Sequence, residues 1–280
     1  MRKLGLIAGG GGLPLAVARA CTGAERPLFV VRLRGFADKE MDAFPGEESG
    51  IAEMGRSIKL LKQAGCEAVC FAGQVNRPDF TALKPDLRGL AIMPGAIAAA
   101  SRGDDELLRF LMREFERDGF VIEGADQVVA DLAINEGALG RIAPGEAHQL
   151  DIEVAVRAAR ALGDLDIGQA AVSARGLVLA MEAAEGTAAL LRRVADLPAA
   201  LRGTTGAPVG VLAKVAKSRQ DRRIDLPTMG IDTVKDAASA GLAGIVGEAG
   251  ALLVVDRAET IRLADELGLF IAGLPPSRAS

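Results

Sequence analysis

The chain has 280 residues, half of them apolar and a quarter charged, with a net charge of −4 at pH 7. That make-up fits a globular protein with a real core, in one large domain or two ordinary ones, and gives no electrostatic case for a nucleic-acid binder. One histidine, three cysteines and no Tyr or Trp exclude histidine-rich metal sites, a disulfide framework and tyrosine acids, and no stretch approaches the roughly 20 apolar residues of a membrane span.

In chain order, "KLGLIA" at the start reads as a buried strand, and Pro14 to Cys21 as a helix with proline near its first turn. "PLFVVRL" is a second strand, Gly55 to Ala64 a helix closed by Gly65, and "AVCFAG" a third strand. A helix follows from Asp104 to Arg117, its acids in the first turn and Arg117 in the last, both favourable to the helix dipole. "GFVIEGA" is read as the next strand. Strands alternating with helices imply a parallel sheet covered on both faces.

The second half reads as a mixed α/β domain. Asp151 to Leu162 is an amphipathic helix, and "QAAVSARGLVLAME" is two apolar runs broken at Ala174-Arg175-Gly176, a hairpin signal. Then come a helix from Thr187 to Val194, the strand "VGVLA", a polar loop, and a helix from Thr233 to Ala240. "LAGIVG", "GALLVVD", a helix from Arg257 to Leu267 and "LFIAG" complete the pattern. The domains are expected at 1–134 and 147–280. Residues 135–146, "NEGALGRIAPGE", join them, because glycine, proline and charge cluster there. Cys21, Cys66 and Cys70 read as buried thiols, and His148 as a solvated loop histidine. Any metal is expected to be oxygen-ligated Mg²⁺ or Mn²⁺.

Gly9 to Gly12 follow the first strand and precede a helix, a place where free amides meet anions. The dinucleotide pattern G-x-G-x-x-G fails, since Pro14 or Leu15 stands at the third glycine. Arg32 and Arg34 replace the acid that binds a ribose, which leaves an NADP-dependent oxidoreductase as a weak alternative. Phosphate binding by Gly10, Gly11 and Gly12 is the favoured reading, and a tight strand-to-helix turn without a ligand is the other.

The densest polar stretch, "KVAKSRQDRRIDLPT", follows the strand ending at Ala213, beyond the carboxyl end of a sheet strand where α/β proteins place ligands. Asp221 and Asp225 sit there among Lys214, Lys217, Arg219, Arg222 and Arg223. Cations suit a diphosphate, and carboxylates hold Mg²⁺ or orient a water; a solvated charge-mixed loop is the plainer reading. In "MEAAEGT", Glu182 and Glu185 precede Thr187, expected to cap its helix and to face a phosphate. Gln74 ends the third strand, where it suits a base or sugar edge. Asp104 and Asp105 serve the start of their helix.

"GLIAGGGGLP", "GQV", "GDDELL", "DIGQA", "EAAEGT", "QDRRIDLPTMG" with "TV" after it, and "AGLAGI" occur in this order from end to end. With them the chain resembles the UDP-2,3-diacylglucosamine pyrophosphatase family of lipid A biosynthesis, the LpxI type. The resemblance implies an N-terminal Rossmann-like domain and a distinct C-terminal domain that trap the substrate between them. It implies Mg²⁺-dependent hydrolysis of UDP-2,3-diacylglucosamine to UMP and 2,3-diacylglucosamine 1-phosphate (lipid X), with the essential aspartate of the "DLP" motif at Asp225. On this reading Asp225 binds the metal or the attacking water, with Asp221 beside it. Gly10, Gly11, Gly12, Gln74, Gln169, Glu185, Thr187, Lys214 and Arg223 meet the substrate. A cytoplasmic protein is expected, with contact to the inner-membrane surface and a homodimer as further expectations. A non-catalytic nucleotide-sugar or lipid-binding protein is the alternative.

Overall fold

The computed structural model describes residues 1–75, 82–129, 131–217, 223 and 226–276, in two compact units. The first unit holds 1–129 together with Arg223; the second holds the rest.

In the first unit the apolar run β1 (Leu4–Ala8) is buried along its whole length. It pairs in parallel with β2 (Leu28–Leu33) and β4 (Ala68–Ala72). β3 (Gly46–Ser49) and β5 (Val121–Ile122) extend the sheet to the order β3-β2-β1-β4-β5, parallel throughout. That is the dinucleotide-binding order 3-2-1-4-5-6 without its sixth strand, reached here without its glycine fingerprint. The crossovers carry α1 (Gly12–Gly23), α2 (Met54–Gln63), α3 (Leu87–Ala100) and α4 (Asp104–Arg117), and α5 (Ala125–Val128) follows β5. Ile7, Val31, Leu33 and Val69 on one sheet face pack against Ile58, Leu61, Met112 and Phe115 from α2 and α4.

Three departures from the sequence reading have physical causes. β3 is short and polar apart from its glycine, GEES, so no apolar alternation marks it. α3 is rich in Gly, Ala and Pro, and its start is set by Asp86, whose side chain accepts from the Gly89 amide at 2.7 Å. "GFVIEGA" gives only two ladder residues, because Gly124 already opens α5 and donates to Gln127 Oε1 at 2.9 Å.

In the second unit β6 (Gly137–Ala138) is followed by α6 (Glu146–Asp164), the hairpin β7 (Ala170–Ala174) and β8 (Leu177–Met181), and α7 (Gly186–Ala195). β9 (Val211–Lys214), β10 (Thr228–Met229), α8 (Ile231–Ser239), β11 (Gly244–Glu248), β12 (Leu253–Val254), α9 (Arg257–Glu266) and β13 (Phe270–Leu274) complete it. The main sheet runs β13-β11-β9-β7-β8, parallel except at β7, which is antiparallel to both neighbours; β10 and β12 form a small parallel pair. The expected hairpin turn forms, with positive φ at Arg175 (52°) and Gly176 (75°). Side chains alternate across the sheet: Val172, Leu212, Ile245 and Ile271 face the α7–α9 side, while Ala171, Ala213, Val246 and Ala272 face α6. The molecule is thus α/β, with one parallel and one mixed sheet.

The stretch expected to join the domains is hydrogen-bonded into the second unit: the amide of Leu139 donates to Ile271. His148 is not in a solvated loop. It lies in the first turn of α6, where Nδ1 accepts from the Gly145 amide at 3.0 Å and the ring meets the Phe270 ring edge-on. The three cysteines are free and buried, and burial pushes the Cys66 thiol up to about 11, far from a reactive thiolate.

Candidate functional site

One rim of the second sheet gathers the polar groups. The register sets Ala170 against Lys214, Lys214 against Gly247, and Glu248 against Leu274. This edge therefore holds the carboxyl ends of β8, β9, β11 and β13, and the residues that precede β7. β9 and β11 are apolar until their last residue, and each ends there in a buried charge, Lys214 and Glu248.

Lys214 is the last residue of β9 rather than the first of the polar loop, and only 5 % of it is exposed. Its Nζ donates to the Thr228 carbonyl at 2.7 Å. Burial depresses its pKa, and the negative charge of Glu182 works in the opposite direction.

Glu182 follows β8 and is equally buried, at 6 %. One carboxylate oxygen accepts the Thr187 hydroxyl at 2.6 Å and the other accepts the Gln169 amide at 2.9 Å. Thr187 is consequently not the helix cap: Glu185 holds that position without a side-chain cap bond, and the Thr187 hydroxyl turns to Glu182. The Gln169 carbonyl accepts from the Val215 amide, which ties the segment before β7 to the one after β9. Its side-chain oxygen is buried and has no hydrogen-bond partner among the described residues. A Cβ at Gly168 would overlap the Glu182 carbonyl, so this close approach requires glycine.

The structure thus brings Gln169, Thr187 and Lys214 together around Glu182. Glu185 stands apart on the surface, paired with Arg193 at 2.6 Å. Arg223 reaches Glu116 on α4 in the first unit, at 3.1 Å. Asp221 and Asp225 lie outside the described residues. Among the described residues no group of three or more His, Cys, Asp and Glu is arranged to hold a metal ion.

In the first unit the glycine loop and Gln74 also come together, but through their main chains. Gly9 donates to Ala72, Gly10 and Gln74 exchange amide–carbonyl bonds at 2.9 and 2.8 Å, and Gly11 donates to Asp38 Oδ2 at 2.7 Å. The expectation of free amides is corrected for these three glycines, since the fold itself consumes their donors. Arg32 is likewise committed, to the carbonyls of Met41, Phe44 and Gly46, and Arg34 to Glu48 and Glu53. Neither is placed as an NADP phosphate ligand.

Family models for the LpxI N-terminal domain and the LpxI C-terminal domain match residues 3–132 and 135–272. The chain belongs to the LpxI family. A relative from Caulobacter vibrioides, named UDP-2,3-diacylglucosamine pyrophosphatase LpxI, is 56% identical over 276 residues, 99% of each chain. The two LpxI family models meet beside the division between the two units.

The rim residues that the sequence reading passed over had a signal. Glu248 is a single charge closing a wholly buried strand, and Glu182 is the first acid after an apolar hairpin. Asp38 carried none: only the chain path brings its carboxylate to the Gly11 amide, 27 residues away.

Proposed function

We propose that this chain hydrolyses the diphosphate of UDP-2,3-diacylglucosamine, releasing UMP and 2,3-diacylglucosamine 1-phosphate for lipid A biosynthesis. The observation that carries the reading is the likeness to a pyrophosphatase so named, which spans both units at 56% identity. The buried polar rim supports it with chemistry suited to a diphosphate. Lys214 brings a positive charge into a low-dielectric site, where its attraction for a phosphoryl oxygen is strongest. The Thr187 hydroxyl and Gln169 lie on the same rim and orient the sugar phosphate. Asp225 holds the metal or orients the attacking water, with Asp221 balancing neighbouring arginines.

Mg²⁺ or Mn²⁺ fits the donor chemistry of this chain. The rim offers carboxylate oxygens, those of Glu182 and Glu248, while every cysteine is in the core. When bound, the ion draws charge from a phosphoryl oxygen and acidifies water.

The test is to incubate the protein with UDP-2,3-diacylglucosamine and Mg²⁺ and to identify products by mass spectrometry. UMP and 2,3-diacylglucosamine 1-phosphate in equal amounts are expected; unchanged substrate, or UDP as the nucleotide product, overturns the reading. Exhaustive EDTA treatment should remove turnover, and Mg²⁺ or Mn²⁺ but not Zn²⁺ should restore it. Full turnover after EDTA would overturn the metal assignment.

A further inference from the structure

Two buried carboxylates of the second unit are used in opposite ways. Asp151, on α6, accepts the Ser173 hydroxyl and the amides of Arg175 and Gly176, at 3.0, 3.0 and 2.7 Å. It closes the β7–β8 hairpin on α6. Glu182 at the other end of the hairpin also accepts donors with both oxygens. Its network ends differently, in the buried and unpartnered Gln169 Oε1.

An unpaired buried oxygen weakens a fold, and replacing it with an apolar group is neutral or stabilising. An amide oxygen accepts and does not donate, so it selects an O–H or N–H group and gives nothing to a phosphate oxygen. Lys214, also beside Glu182, has the complementary preference for anions. The rim therefore offers two unlike subsites, one for a phosphoryl oxygen and one for a neutral donor. Such a pair matches the phosphate-bearing end of an acylated amino sugar, which carries ring hydroxyls and an amide N–H.

We propose that Glu182 is a positioning residue: it fixes the Thr187 hydroxyl and the Gln169 main chain so that the Gln169 carboxamide oxygen accepts an O–H or amide N–H of the acylated sugar. This rests on the function proposed above. Gln169 touches the ligand; Glu182 acts through it and through Thr187. The main-chain bond between Gln169 and Glu182 does not depend on the Gln169 side chain, so Gln169→Leu removes the ligand contact and leaves the support in place.

The experiment measures, on the full-length protein, dissociation constants for 2,3-diacylglucosamine 1-phosphate and for UMP, together with melting temperature. Wild-type UMP release from UDP-2,3-diacylglucosamine is measured first. A wild type that releases none overturns the functional reading and the positioning role with it. Given turnover, Gln169→Leu is expected to bind the sugar phosphate about tenfold more weakly, with UMP affinity unchanged and melting temperature equal or higher. A purely structural glutamine gives the reverse, a lower melting temperature and unaltered sugar-phosphate binding, and overturns the proposal. Glu182→Gln should show the same selective loss. Should that variant not fold, Thr187→Val, which removes one hydroxyl from the same network, is expected to lose sugar-phosphate affinity about threefold. Full affinity in Thr187→Val overturns the role of Glu182.

Discussion

The glycine loop of the first unit and the polar rim of the second invert what their sequences advertise. Gly9 to Gly12 look like an anion cradle, yet the amides of the first three are spent on Ala72, Gln74 and Asp38. The rim follows unremarkable apolar runs, yet it holds a buried lysine, a buried glutamate and an amide oxygen with no partner. Glycine supplies conformations as readily as it supplies amides, and here the tight passage from β1 to α1 takes up most of both. A fold that leaves a buried polar atom unpaired forgoes stability there, and a ligand that supplies the missing donor accounts for it. We propose that tight packing belongs to the loop, and chemistry to the rim and the segment that leaves it.

The largest effect expected from that assignment is at Asp225, on the segment between β9 and β10. Asp225→Ala should lower UMP release by roughly 10²-fold or more, with sugar-phosphate binding and melting temperature little changed. Turnover by this variant at the wild-type rate would return the comparison to its starting point.

Lys214 sharpens the comparison through pH. Burial holds its folded pKa below the ordinary lysine value, so in the window between the folded and unfolded values the unfolded chain carries the extra proton. The stability contribution of this group therefore rises with pH across that window. Activity that needs the ammonium falls across the same window, giving an alkaline limb of kcat/KM that begins below the ordinary lysine range. Other charges on neighbouring elements are Glu248 and the Lys217–Asp166 pair. Glu182 is the one that raises the Lys214 pKa, so Glu182→Gln should move the limb to lower pH. A limb that stays in place in this variant separates Lys214 from catalysis.

The smallest effects belong to the glycine loop. A Cβ at Gly9 would lie 2.7 Å from the Gln74 carbonyl oxygen and 3.0 Å from Gly73 C, whereas Gly11 has open space but a φ of 85°. Gly9→Ala should cost about 1–3 kcal/mol and Gly11→Ala about 1–2 kcal/mol, read as melting-temperature shifts. UMP affinity should change less than about threefold in Gly11→Ala. A selective tenfold loss of UMP binding there, with an unaltered melting temperature, would make the loop an anion site after all.

The fold was legible wherever one period dominated. β1, β2, β4 and the β7–β8 hairpin stand within a residue or two of their apolar runs, because a buried parallel strand is continuously apolar and Arg175-Gly176 is a turn signal. α3 and β3 were not, since small residues and proline in one and polar residues in the other carry no period. At the site, Gln169, Thr187 and Lys214 were legible from motif and position, and the structure gathers them. Their organiser was harder to read: of two nearby glutamates, sequence favoured Glu185, while strand direction buries Glu182 and turns Glu185 to Arg193. The glycine amides misled because hydrogen bonds to Gln74 and Asp38 form only when distant segments meet.

Amide hydrogen exchange on the full-length protein, with and without 2,3-diacylglucosamine 1-phosphate, tests the assignment most directly. The account predicts slower exchange at the Gln169 amide, at residues 182–187 and at 211–217 when the sugar phosphate is bound, with Gly9 to Gly11 unchanged. Protection confined to the glycine loop, with the rim exchanging as before, would contradict it.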